Sequence, residues 1–370
     1  MTKKLMIVWL TFLMVLFSSI SIYAEEDVQG DFFEKHVIIN GEEIINYNLQ
    51  YPFLMYNNTT YFPLSAEMEE ILGLTSEMDW ESRTLKLLKT DSTRKNISSN
   101  WLKNNNVDLI LDVLSEVQVL AYVPDEEEAQ KETAAGEAGN AETAEAIEMP
   151  ELSVTELDLS DTPVLAIGKY LFLPIKALTT EDSFHWDIYF DPYYGLCIST
   201  IEGVSAESYC DKAEALRNKG LVNYIKSQNS AISTTVAQKY LFLFKRAEAV
   251  YGVDTELLMA IASKESHFGV WATASGGARG MMQIMPQTAA GYGLTVDNLY
   301  DAKTNIDFGA MYVSERIKAY GGDWVKGLSA YNQGSSRVNR GTHSTAYADR
   351  VIAEYSRIGN YLAANGYTGQ

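Results

Sequence analysis

Lys264-Glu265-Ser266, followed after a short Gly-rich stretch by Gly277-Ala278-Arg279-Gly280-Met281-Met282-Gln283-Ile284-Met285-Pro286, decides how the last third of the chain is read. Ahead of it, Asp254 is placed as an N-cap, and Leu258, Ile261 and Glu265 recur at i, i+3 and i+7. That spacing predicts an amphipathic helix with the Glu265 carboxyl on its apolar face. Gly269 is expected to end the helix, leaving Glu265 in the last turn at the lip of a cleft. A carboxylate stripped of water there has a raised pKa, which suits a general acid near neutral pH. The same placement also suits a glutamate that snorkels to solvent or meets an arginine.

Between residues 266 and 296 there is no Asp or Glu; the next acid is Asp297. Cleavage of a glycosidic bond usually employs two carboxylates. If Glu265 works alone, the second role falls to the substrate or to water. Taken singly, the neighbouring residues have plainer readings. Gly276, Gly277 and Gly280 suit a flexible loop, Met281, Met282 and Met285 suit core filling, and Tyr331 suits a packed aromatic.

Four ordered motifs change that weighting: Glu265-Ser266; Gly277-x-x-Gly280-x-Met282-Gln283-Ile284-Met285-Pro286; Ala330-Tyr331-Asn332-x-Gly334; and Tyr347-x-x-x-Val351. Over roughly residues 236–355 the chain resembles the soluble lytic transglycosylases with a goose-lysozyme-like fold. The resemblance implies cleavage of the β-1,4 bond between N-acetylmuramic acid and N-acetylglucosamine in peptidoglycan, without net hydrolysis. It implies that Glu265 protonates the glycosidic oxygen and then, as carboxylate, helps the muramoyl C6 hydroxyl close a 1,6-anhydro ring. It also implies a substrate-binding set: Ser266 beside the acid, Gly280 in the gripping loop, and Met282 and Met285 lining the groove. Gln283 would reach a sugar N-acetyl or hydroxyl group, Tyr331 and Asn332 would close the site opposite the acid, and Tyr347 would come from the closing helix. No cofactor, metal or nucleic-acid partner is implied; the partner is the peptidoglycan glycan strand.

Two positions depart from the family pattern. Nine residues after the glutamate, where many members carry Ser, stand Ala274 and then Ser275; the usual Asn-Pro is Gly269-Val270. Two alternatives therefore stay open beside the transglycosylase: a hydrolytic muramidase in which water attacks, and a wall-binding protein with weak turnover.

The chain has 370 residues and a formal charge of −20. From residue 236 onward 13 Lys and Arg stand against 11 Asp and Glu, while 16 basic and 38 acidic residues precede it. A near-neutral catalytic domain is thus joined to a strongly acidic front half. Residues 1–24 read as a secretory signal, with Lys3 and Lys4 at the start, an apolar run 5–17, and cleavage expected after Ala24. The protein is expected to be exported and extracellular or wall-associated; the alternative is an uncleaved membrane anchor. Cys197 and Cys210 are too few for a disulfide framework, and His36, His185, His267 and His343 lack ligand spacing.

In the front half, Asn40-Gly41 and Asn57-Asn58 mark tight turns between short apolar runs, 67–72 suits a short helix, and 80–88 a strand. The pattern recurs: Pro52 to Pro63 and Pro163 to Pro174 enclose similar runs, and Asp79-Trp80 and Trp186-Asp187 follow. This unit is similar to the stalk domain at the front of copper amine oxidases. The similarity implies a spacer or wall-associated module, not copper chemistry, with its aromatics expected in a β-core. The expected class is therefore α+β and multidomain: a β-rich module over 30–204 with an internal repeat (36–90 and 160–200) and an acidic low-complexity insertion (124–151), a helical linker over 205–235, and a mainly α-helical lysozyme-like domain over 236–370.

Overall fold

The computed structural model describes residues 27–46, 49–94, 109–124 and 152–368. The signal segment and residues 125–151 of the acidic insertion lie outside the described residues. Two compact units result. One holds the described residues up to Tyr189 with Leu196–Tyr209, and the other holds Phe190–Gly195 with the chain from Cys210 onward.

The first unit is β-rich. A seven-stranded antiparallel sheet runs in the order Asp27–Gln29, Ile110–Leu114, Val164–Ile167, Tyr170–Pro174, Thr59–Pro63, Leu54–Tyr56, Asp31–Phe32. Two four-stranded sheets accompany it, and one of these pairs Gln118–Pro124 in parallel with Thr84–Lys89. The expected turns form where Asn tolerates a left-handed backbone: Asn40 and Gly41 have φ of 52° and 84°, and Asn57 and Asn58 have 47° and 61°. The short helix α1 (Ala66–Leu72) is capped by Ser65, whose hydroxyl accepts from the Met68 N–H, and it ends at Gly73 with φ 68°. Asn46 pins the core: its amide donates to the carbonyls of Phe33 (2.8 Å) and Phe53 (2.9 Å) and accepts from the Phe53 N–H.

One strand differs from expectation. Residues 80–88 are not a single strand; Leu74–Asp79 and Thr84–Lys89 form a hairpin with Trp80 in its turn. The Asp79 carboxylate accepts from the N–H groups of Glu81 and Ser82 and so reverses the chain there. Trp80 is therefore exposed, whereas Trp186 is buried against Phe62 and Phe184.

The second unit is helical: α2 (Lys212–Gln228), α3 (Thr234–Tyr251), α4 (Thr255–Ser266), α5 (Pro286–Ala290), α6 (Ala302–Ala319), α7 (Trp324–Gln333), α8 (Ser335–Asn339) and α9 (Ala346–Ala364). Where a helical linker was expected over 205–235, α2 runs unbroken through Gly220 and belongs to this unit. The glycine is there for close approach, since a Cβ would come within 2.6 Å of Leu362 and Tyr367. Pro286 begins α5 at its first position, where a missing N–H costs nothing. Residues 281–285 form the turn before it. Among the described residues no helix is long and apolar enough to cross a membrane.

Candidate active site

Helix α4 carries Glu265 through the middle of the second unit. Asp254 caps it, accepting from the Leu257 N–H at 3.0 Å. Thr255 to Ser263 are buried without exception, so this is a central helix rather than the one-sided amphipathic helix expected. It ends at Ser266, three residues before Gly269. His267 and Phe268 take left-handed φ of 52° and 61°, their N–H groups bonding back to the carbonyls of Ser263 (3.1 Å) and Ala262 (3.3 Å). The Phe268 ring, buried beside Phe244, holds that reversal in place. Glu265 is left in the last turn, partly exposed.

The loop that follows is built on backbone pairing. Arg279 and Ile284 exchange N–H···O bonds at 2.9 Å, and the Gly280 N–H donates to Ala272 O at 2.9 Å. Asn305, fully buried on α6, accepts from the Met282 N–H (2.7 Å) and donates to Leu299 O (2.9 Å) and Arg279 O (3.2 Å). Ser266 Oγ donates to Met281 O at 2.7 Å and accepts from the Gly269 N–H. The acid-bearing helix and the loop are thereby tied together.

Between them lies a cleft of about 230 Å³. It is lined by Glu265, Gln283, Tyr331 and Asn332, by Met285, Phe308 and Tyr312, and by the small residues Ala274 and Ala278. Of its lining residues Glu265 is the only carboxylate. Ala274, not Ser275, faces the cleft, so the neighbouring serine supplies no hydroxyl to its lining.

Burial raises the Glu265 pKa above the ordinary carboxyl value, against smaller lowering effects of the Tyr347 hydroxyl and the Arg350 charge. The Tyr347 hydroxyl faces the carboxyl without making a hydrogen bond of ordinary geometry. Tyr331 and Tyr347 stack at 6.4 Å, and both phenols are pushed well above their usual pKa by burial and then by the Glu265 charge. They stay neutral while Glu265 titrates. Because the Tyr347 hydroxyl favours the carboxylate, Tyr347→Phe is expected to raise the Glu265 pKa further. The pH at which activity declines on the alkaline side should then move upward, as a pH–rate profile of the variant would show.

The substrate-binding set expected from sequence separates into two groups. Gln283, Met285, Tyr331 and Asn332 line the cleft with Glu265. Ser266, Gly280, Met282 and Tyr347 do not line it; they support it. Met282 is fully buried against Gly309, so it fills the core instead of lining the groove. Gln283 is held at φ 50°, and its side-chain NH₂ donates to Gly280 O (2.8 Å) and Ala272 O (3.2 Å), so only its oxygen is left as an acceptor. Tyr331 commits its hydroxyl proton to Met282 O at 2.9 Å. Sequence reading missed Phe308, Tyr312, Thr288 and Arg350. Phe308 is buried on α6 and Tyr312, half-buried, stacks on it one turn later, a spacing that looks the same as ordinary core. Among the described residues no group of His, Cys, Asp or Glu is arranged to hold a metal.

Residues 242–351 match the transglycosylase SLT domain. Among relatives of this SLT domain, a transglycosylase of Enterobacteria phage PRD1 is 36% identical over 106 residues, which is 29% of this chain and 39% of the phage protein. A membrane-bound lytic murein transglycosylase C of Glaesserella parasuis serovar 5 (strain SH0165) is 32% identical over 146 residues, 35% of this chain and 40% of that one. The chain thus spans about two fifths of the length of these relatives. The 70 kDa soluble lytic transglycosylase of Escherichia coli aligns in structure at 24% identity over 42% of this chain and 30% of its own, with a TM-score of 0.28.

Proposed function

We propose that this protein is a peptidoglycan lytic transglycosylase that cleaves the bond between N-acetylmuramic acid and N-acetylglucosamine and leaves a 1,6-anhydro end. The observation that carries the reading is a single partly desolvated carboxyl, Glu265, in a cleft whose other lining residues are amides, phenols, one threonine and apolar side chains. Protonated Glu265 gives its proton to the glycosidic oxygen as the bond to the muramoyl C1 breaks. The carboxylate so formed takes the proton of the muramoyl C6 hydroxyl, whose oxygen bonds C1 and closes the ring. The proton count balances, the acid is regenerated, and no water enters. The raised pKa keeps the acid form populated, and activity declines as pH rises through it. Met285, Phe308 and Tyr312 offer apolar surface to the sugar faces, and Gln283 Oε1 and Asn332 offer polar partners.

Export by residues 1–24 and a spacer role for the β-rich module belong to the same proposal. The two series of hairpin, short helix and hairpin, 54–89 and 164–199, support reading that module as a duplicated unit. A second reading, a wall-binding protein with slow turnover, is favoured by Ala274 in the lining. Digestion of purified sacculi followed by mass analysis separates these. Anhydro ends, one water lighter than reducing ends, are expected. Reducing ends would mean a hydrolase, and binding without release would mean the second reading.

A further inference from the structure

The buried stripe of α9 runs Tyr347, Val351, Glu354, Ile358, Leu362, and a carboxylate occupies a position where the pattern calls for an aliphatic residue. Glu354 is completely buried. Its Oε1 accepts from Ser263 Oγ at 2.7 Å and from the Tyr224 hydroxyl. Its Oε2 forms ion pairs with Lys264 Nζ at 3.0 Å and Arg357 Nη1 at 2.7 Å. Burial alone would raise its pKa, but the bonds from Tyr224, Ser263 and Lys264 outweigh that and hold it below the ordinary value. It is a carboxylate shared by α2, α4 and α9.

Stability alone does not account for it, because a well-packed apolar side chain serves a helix interface as well as or better than a buried ion pair. What the carboxylate adds is direction: bonds of fixed geometry to named groups on the neighbouring helices. The two α4 residues that Glu354 grips, Ser263 and Lys264, immediately precede Glu265. On α9, Glu354 lies seven residues, two turns, beyond Tyr347 on the same face. One end of α9 thus faces the acid while its next turns grip the residues beside it. We propose that Glu354 is a positioning residue that fixes the last turn of α4 against α9, so that Glu265 is presented to Tyr347 and the cleft. The proposal rests on Glu265 as the acid. Glu354 also balances the Lys264 ammonium next to that acid. The groups facing Glu265 are Tyr347 and Arg350 from α9 and Tyr331 from α7; those facing Glu354 are Tyr224, Ser263, Lys264 and Arg357.

The test compares full-length variants on solubilised glycan strands, with folding followed by thermal melting. Glu354→Gln is expected to lower kcat by about tenfold or more with KM within about twofold, the pattern of a misplaced acid. The alkaline limb of its pH–rate profile should move to lower pH, because an unbalanced Lys264 ammonium favours the Glu265 carboxylate. Lys264→Met in the same background should return the limb. Tyr224→Phe removes only the bond from α2 and should leave kcat within about twofold. Should Glu354→Gln fail to fold, Ser263→Ala, which deletes only the α4 hydrogen bond, is expected to lower kcat in the same way. Wild-type kcat and pH profile in folded Glu354→Gln, or in Ser263→Ala where that replaces it, would overturn the proposal. So would a loss that Tyr224→Phe reproduces with the limb unmoved. Glu265→Gln run alongside keeps the two ideas apart: if it stays active, the acid assignment fails, whereas if it is silent and Glu354→Gln is unaffected, only the positioning role fails.

Discussion

Glu265→Gln is expected to cut release of muropeptides from sacculi by about 10²–10⁴-fold while the protein still melts as the wild type does and still sediments with sacculi. The amide keeps the shape of the side chain and removes its transferable proton. Two structural facts make so large an effect reasonable. No other carboxylate lines the cleft to take over the role, and the neighbouring phenols, Tyr331 and Tyr347, are held in their neutral forms far from the pKa of a useful acid. The fold should be indifferent to the change, because the residues that tie α4 in place are Asp254, Ser263, Lys264 and Ser266 rather than Glu265 itself. Release at the wild-type rate would remove Glu265 from the mechanism.

Gly280→Ala is expected to destabilise the second unit by about 3 kcal/mol and to abolish activity with it. A Cβ at Gly280 would stand 2.1 Å from Leu299 O and 2.2 Å from Asn305 Nδ2, in a residue held at φ 76°. Neither neighbour is a flexible side-chain end. One is backbone, and the other is an amide whose three hydrogen bonds hold the loop. Relieving the clash means giving up the Asn305 bonds, and with them the seat of Met282 and Gln283. Thermal melting beside the release assay checks this. A variant that melts like the wild type would show that the loop tolerates a displacement its hydrogen bonding argues against.

What was legible in the sequence was local. The Asp254 cap, the i, i+3, i+7 spacing that carried Glu265, and the Asn-Gly and Asn-Asn turns each depend on residues a few positions apart, and each formed. The helix end was misjudged because His267 and Phe268 adopt a conformation that Gly269 was expected to supply, and the burial of Phe268 that stabilises it is tertiary. The family resemblance assigns Gln283 and Ser266 to substrate binding. In the fold, most of their hydrogen-bonding capacity goes to carbonyls at positions 262, 272, 280 and 281. Trp80 and Trp186 sit in similar sequence contexts, yet one lies in an exposed turn and the other in the core, since the Asp79 turn ends the first strand before the tryptophan is reached. Glu354 and Asn305 gave no local signal at all. Each matters through partners on other helices, which a one-dimensional pattern does not bring together.

The proposed mechanism depends on a desolvated, solitary acid, and carbon-13 NMR reads that property at its source. Titration of the Glu265 carboxyl, identified by its loss in Glu265→Gln, should give a midpoint clearly above the ordinary glutamate value of 4.5. A midpoint at or below that value would mean the carboxyl is ionised at working pH and would contradict its role as proton donor.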